Sequence, residues 1–125
     1  MNSHLKRLRQ IVAAAKCKDN DAFLSHFSDD IEYAYHMHAK PIHGLVTLRK
    51  FVQRYHDTLE LTAWEIHRWA VNGNKLLVEG YEEYRVKESG QLVGHPYMGI
   101  LEFAADGRVC RMREYFEMNG KPRAS

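Results

Sequence analysis

Two glutamates stand in rows of side chains that are otherwise apolar or aromatic. In the stretch Gly107 to Glu117, strand alternation puts Cys110, Met112, Glu114 and Phe116 on one face. Glu82 falls in phase with Val78, Gly80 and Tyr84 in an earlier stretch of the same kind. Between them, His95 and Tyr97 share the phase of Gly99, and Tyr35 lies in an alternating segment near the N-terminal third. A carboxylate in an apolar row is costly to bury charged, so it needs a partner, a raised pKa or a chemical role. Two carboxyls, an imidazole and phenols together offer a general base, a general acid and donors to a developing oxyanion. The residues alone leave a plainer reading open. Glu82 then sits solvated at a rim, and His95 is a hydrogen-bonded core histidine.

Other constellations offer less. His36, His38 and His43 fall within eight residues and could in principle reach one ion, but their spacing matches no recognised site. They read as polar loop residues, and no metal is expected. No glycine-rich phosphate loop follows a strand, and Ser25, Ser89 and Cys110 lack the context of an activated nucleophile. Any chemistry is therefore expected to need no cofactor.

The bulk properties bound the answer. A chain of 125 residues fits one domain, expected to span 1–125. With 45% hydrophobic and 27% charged residues, it has the composition of a soluble globular protein, and no apolar run is long enough for a bilayer. The first 18 residues contain only Ile11 to Ala15 as a continuous apolar run, too short for a signal-peptide core. Cys17 and Cys110 are isolated, and a reduced, cytoplasmic protein is expected. The net charge of +2 gives little attraction to nucleic acid. Lys6, Arg7, Arg9, Lys16 and Lys18 read as the solvated face of a helix. Neither nucleic acid nor a membrane is expected as a partner.

The elements that must position these groups can be read by period. Leu5, Leu8, Val12 and Ala15 recur at helical spacing after Ser3, read as the cap, which predicts a helix over 3–17. Asp19-Asn20-Asp21 opens a second helix over 20–27, carrying Phe23 and Phe27, and Ser28-Asp29-Asp30 breaks it. Alternation of Ile31, Tyr33, Tyr35 and Met37 predicts a strand over 31–37, and Pro41 argues against its continuing. Leu48, Phe51, Val52 and Tyr55 predict a helix over 45–57. The period then changes to two. Strands are predicted over 59–71, 75–88, 92–104 and 108–117, divided by Asn72-Gly73, Ser89-Gly90 and Asp106-Gly107. Residues 119–125 read as a flexible tail. Trp64 and Trp69 have opposite parity, so one is expected to face the helices and the other outward. The order predicts an α+β fold, in which a curved antiparallel sheet wraps three N-terminal helices into a cone with an internal cavity.

Particular segments carry a resemblance. They are Phe27-Ser-Asp-Asp-Ile31, Pro41-Ile-His-Gly44 before a helix, Leu77-Val-Glu-Gly-Tyr-Glu82, Met98-Gly-Ile-Leu-Glu-Phe103, and Asp106-Gly-Arg-Val ahead of Arg113-Glu-Tyr-Phe-Glu117. On these the chain resembles the NTF2-like superfamily, in its SnoaL-like and limonene-epoxide-hydrolase-like branch. The resemblance implies that the phase of Glu82, His95 and Glu114 points into the cone. It implies catalytic roles for Glu114, Glu82, His95 and Tyr35, with Tyr97, Met112, Phe116, Tyr84, Met37 and Val78 against a small hydrophobic ligand. It further implies a homodimer through the outer sheet face, covering Trp64 or Trp69. The epoxide hydrolases bridge two aspartates with an arginine. Glu82 and Glu114 match the aspartates and Tyr35 the supporting tyrosine, but Gly80 stands at the arginine and Met37 at or near the asparagine. The expected function is therefore isomerase- or cyclase-type acid/base chemistry on a small carbonyl compound. An epoxide hydrolase variant and a ligand-binding or assembly domain without chemistry are the alternatives.

Overall fold

In the computed structural model, which describes residues 2–117, the first element is helix α1, Ser3–Lys16. Its cap is Asn2 and not Ser3. The Asn2 side-chain oxygen accepts from the amides of His4 and Leu5, and Ser3 is already helical. The helix buries Leu5, Leu8, Ile11, Val12, Ala14 and Ala15, the apolar stripe that its spacing foretells.

Asp19 caps α2, Asn20–Leu24, by accepting from the Ala22 amide at 3.1 Å. This helix is shorter than the 20–27 expected, because strand β1, Phe27–Ala34, begins early. The polar triplet Ser28-Asp29-Asp30 is an irregularity inside that strand and not a break before it. Phe27 and Glu32 belong to two different registers with β6, and between them Asp29 and Asp30 turn to solvent. The strand also ends at Ala34, so Tyr35 to Met37 lie beyond it. Strand β2, Ile42–His43, is a two-residue edge pairing antiparallel with Glu32 and Tyr33, and it was not foreseen from sequence. Helix α3 spans Leu45–Thr58.

Four long strands complete the chain: β3 Leu59–Asn72, β4 Lys75–Val86, β5 Leu92–Phe103 and β6 Val109–Tyr115. They form the expected antiparallel meander within a curved, unclosed six-stranded sheet of order β2-β1-β6-β5-β4-β3. One pairing departs from the antiparallel rule. β1 lies parallel to β6, with Tyr33 opposite Met112. That contact joins the two ends of the chain, so no local signal announces it. The helices pack on the sheet around fully buried Leu8, Ile11, Phe27, Ile31, Leu48, Leu76, Leu101 and Val109.

A register shift in β3 decides what faces inward. Trp64 pairs with Glu82 and Trp69 with Val78, two residues of one phase, because β3 carries an extra residue between Ile66 and Arg68. The bulge cancels the opposite parity of the two tryptophans, so the expectation that they face opposite ways fails. Trp64 is buried within the chain, its Nε1–H donating to the Tyr97 hydroxyl at 3.0 Å, while Trp69 is half-exposed at the hairpin end. The same bulge closes over Gly80. A Cβ there would stand 1.8 Å from the Glu65 carbonyl oxygen and 2.9 Å from the Tyr97 ring. Only glycine fits. Gly80→Ala is expected to cost about 3 kcal/mol or more, the upper range for overpacking against backbone, read as a lowered urea midpoint. An unchanged midpoint would show that β3 does not lie over Gly80 in this way.

Candidate active site

Register brings the acidic groups together. Glu82 lies opposite His95, and Glu114 lies opposite Gly99, itself opposite Val78. The glycine at 99 leaves the space before Glu114 unfilled by any side chain of its own strand partner. The curved sheet and helices enclose a cavity of about 420 Å³, onto which Glu82, Glu114, His95, Tyr35, Tyr84 and Phe116 all face. The shared pocket inferred from strand phase therefore forms for six of the ten expected residues.

Four expected residues lie elsewhere. Tyr97 is buried across Gly80, where its hydroxyl accepts from Trp64 and donates to the Glu65 carbonyl at 3.2 Å. That phenol is fully committed to the wall. Met112 and Val78 have the inward phase but are sealed in the core beneath the cavity. Met37 is 53% exposed, because the strand that was to carry it inward stops three residues earlier.

The structure adds Tyr33, Tyr55, Phe51 and Trp64 to the lining. Their signals were present. Tyr33 shares the phase of Tyr35, and Phe51 and Tyr55 lie on the apolar face of α3. Tyr33 is almost wholly buried, and Tyr55 stacks edge-on against Tyr84 at 6.4 Å. Burial pushes the phenols of Tyr33, Tyr55 and Tyr84 further up, with the charge of Glu82 adding to each, so all three remain donors at neutral pH.

The carboxyls dominate the electrostatics. Glu82 and Glu114 hydrogen-bond to one another. Burial pushes Glu82 up to about 7, and the bond from Glu114 works in the opposite direction. Burial holds Glu114 well above the ordinary carboxyl range, reinforced by the charge and hydrogen bond of Glu82. Glu114 thus keeps its proton and donates it toward Glu82, which is the member that titrates near neutrality. His95 stacks on Phe116 with centroids 3.9 Å apart. Burial lowers its pKa, partly offset by a backbone hydrogen bond at Pro96, and Nδ1 has no partner among the described residues. It is a neutral imidazole. In the 36–43 loop, His36 Nδ1 accepts from the His38 amide, and no trio of potential ligands among the described residues is placed to hold a metal ion.

Comparison with known proteins gives this geometry a family setting. The family model described as a SnoaL-like domain matches residues 8–112. Among solved structures, an LEH-like epoxide hydrolase from Mycobacterium tuberculosis superposes with a TM-score of 0.80 at 21% identity, covering 92% of this chain and 83% of that one. A proposed polyketide cyclase from Pseudomonas putida superposes at 0.81 and 17% identity, over 96% and 95% of the two chains. An NTF2-like protein from Burkholderia xenovorans superposes at 0.75 and 20% identity, over 92% and 89%. At such identities the likeness is one of fold. No curated protein matches the chain in sequence. Among the described residues, no helix is long and apolar enough to cross a membrane.

The raised carboxyl pKa values set a pH dependence of stability. Both groups bind a proton more tightly folded than unfolded, so folding is favoured at low pH and weakened as pH rises through the folded value. For Glu82 the window runs from 4.5 to about 7, with a slope of roughly 1.4 kcal/mol per pH unit. His26, His56 and His95, all held below their ordinary value, act in the opposite sense. The difference between wild type and Glu82→Gln isolates the carboxyl. Urea unfolding from pH 4.5 to 7 should show Glu82→Gln gaining on wild type with pH, and parallel curves would remove the raised pKa.

Proposed function

The chain belongs to the SnoaL-like domain family, and from that premise we propose that it is an acid/base enzyme of isomerase or cyclase type. Its substrate is a compact apolar molecule with an enolisable carbonyl. The observation that carries this reading is the hydrogen-bonded carboxyl pair, with Glu82 brought to about 7 at an apolar cavity. A general base works best when its pKa lies near the working pH.

In this mechanism ionised Glu82 takes the proton from the carbon beside the carbonyl, and the electron pair moves to oxygen. Glu114, still protonated, or a phenol of Tyr33 or Tyr55, donates a hydrogen bond to the developing enolate, which a dry cavity strengthens. Return of the proton from Glu82 to a different carbon completes an isomerisation. Attack of the enolate carbon on a second carbonyl, with the proton on Glu82 passing to the new alkoxide oxygen, completes a cyclisation. Neutral His95 is available to pass a proton to or from Glu82, its cross-strand neighbour. The epoxide hydrolase alternative loses support at Gly80, where the backbone of Glu65 and the ring of Tyr97 leave no space for a bridging arginine.

We further propose a homodimer through the outer sheet face. Met98 and Tyr115 pair in register there and are 53% and 46% exposed, with Leu77 on the adjacent strand. Light scattering at micromolar concentration is expected to give twice the mass of one chain, and Met98→Lys to shift it toward the monomer. A wild-type monomer would refute the dimer.

The test of activity is α-deuterium exchange in D₂O, followed by NMR, on a panel of small cyclic and unsaturated ketones. Exchange is expected to rise with pH through about 7, the value of Glu82, and Glu82→Gln to lower it by about 10³-fold. Binding without exchange for every ketone would leave only the ligand-binding module, and a fully active Glu82→Gln protein would remove Glu82 as the base.

A further inference from the structure

We propose that the cavity takes a ligand carrying a protonated amine on its apolar body, so that the substrate itself brings the cation that Glu82 and Glu114 lack. This deepens the reading above, since it rests on the same pair being the working site.

The argument starts from charge balance. Glu82 and Glu114 both face the cavity, and neither takes part in any ion pair among the described residues, where the pairs all lie at the surface. Of the residues lining the cavity, Arg54 alone carries a fixed positive charge, and it lies exposed at the rim. His95 faces Glu82 from β5 and is neutral. Tyr33 from β1, Tyr55 from α3 and Tyr84 from β4 are neutral phenols. Arg54 on α3 borders the cavity but is exposed to water, which screens it. His56, also on α3, is held below its ordinary pKa by burial and by Lys18 and Lys87, and is neutral above it. Nor can β4 supply a cation through position 80, because the Glu65 carbonyl and Tyr97 fill the space. A protein-borne partner is sterically barred at position 80 of the strand that carries Glu82.

The walls favour a cation as well. Trp64, Tyr33, Tyr55, Tyr84 and Phe116 line the cavity. The indole N–H of Trp64 is turned to the Tyr97 hydroxyl, so what Trp64 offers a ligand is carbon surface. Aromatic faces carry negative quadrupole potential and attract a desolvated ammonium. An ammonium held between such faces and the carboxyl pair lets both glutamates ionise, because its charge offsets their repulsion. The shared proton then leaves for solvent. One carboxylate holds the nitrogen, and the other is free to act as base. A neutral ligand offers the pair no such compensation, and an anionic one opposes it.

The experiment uses three probes of one shape with the full chain at pH 7.5: indane, 2-aminoindane and indane-2-carboxylate, each measured by titration calorimetry in buffers of different ionisation enthalpy. The amine is expected to bind about 30-fold more tightly than indane, the scale of a hydrogen bond to a charged group and so owed to the carboxyl pair, with roughly one proton released. In Glu82→Gln and in Glu114→Gln the preference and the proton release should collapse while indane still binds, which also shows that each variant is folded. Equal affinity for amine and indane, tightest binding of the carboxylate, or an amine preference that survives in both variants would overturn the proposal. Ketone exchange that persists in that case would leave the acid/base reading standing. Selective amine binding without exchange on any ketone would support this proposal and sink the catalytic one.

Discussion

Two carboxyl groups hydrogen-bonded to each other in an apolar cavity cannot both be ionised without a compensating charge. That constraint governs the protonation of the whole interior. Glu114, the more deeply buried, keeps its proton, and Glu82 titrates near neutrality. The same burial keeps the surrounding tyrosines protonated and His95 neutral. The carboxyl pair is thus uncharged in acid and acquires one negative charge near pH 7. A protein interior tolerates that arrangement at a cost in stability, which is how a site held ready for proton transfer differs from a core.

The scaffold keeps the pair free of a cation. β3 carries an extra residue between Ile66 and Arg68, which brings the Glu65 carbonyl over Gly80. Tyr97 then lies across the glycine, tied to Trp64 and to Glu65 by its hydroxyl. One bulge therefore does three things. It brings Trp69 onto the face of Trp64, it holds Tyr97 in the wall, and it removes the space in which a basic side chain at position 80 could stand. The absence of the arginine is built into the sheet, and restoring it would need the backbone of β3 to move.

The pair itself is placed by two strands that never touch each other. β5 lies between β4 and β6, and its two residues facing the glutamates are His95 and Gly99. One supplies a titratable neighbour to Glu82, and the other lets Val78 and the Tyr97 ring close in beside the strand that carries Glu114. Aromatic residues from β1, α3 and β4 shape the sides of the cavity.

Much of this was legible in the sequence because it is local. Helical spacing in α1 and α3, alternation in the last four strands and the Gly-containing turns between them each depend on residues a few positions apart, and all three hairpins formed where those turns lie. The shared phase around Glu82, His95 and Glu114 follows from alternation, as no bulge interrupts β4 or the pairing stretch of β5, while its inward direction was what the resemblance implied. Decisions that couple distant segments were not legible. The parallel pairing of β1 with β6 joins the two ends of the chain. The irregularity at Ser28 to Asp30 looks in sequence like the end of a helix, and becomes strand only because β6 is there to pair with. Parity put Trp64 and Trp69 on opposite faces, which fails because one bulged residue inverts every side chain beyond it. Sequence by itself determined which residue types suited to chemistry fall in apolar rows and which phase they share. The tertiary structure alone decided that Glu82 and Glu114 meet with no cation between them, because that depends on the burial and close approach of strands whose contacts no local pattern records.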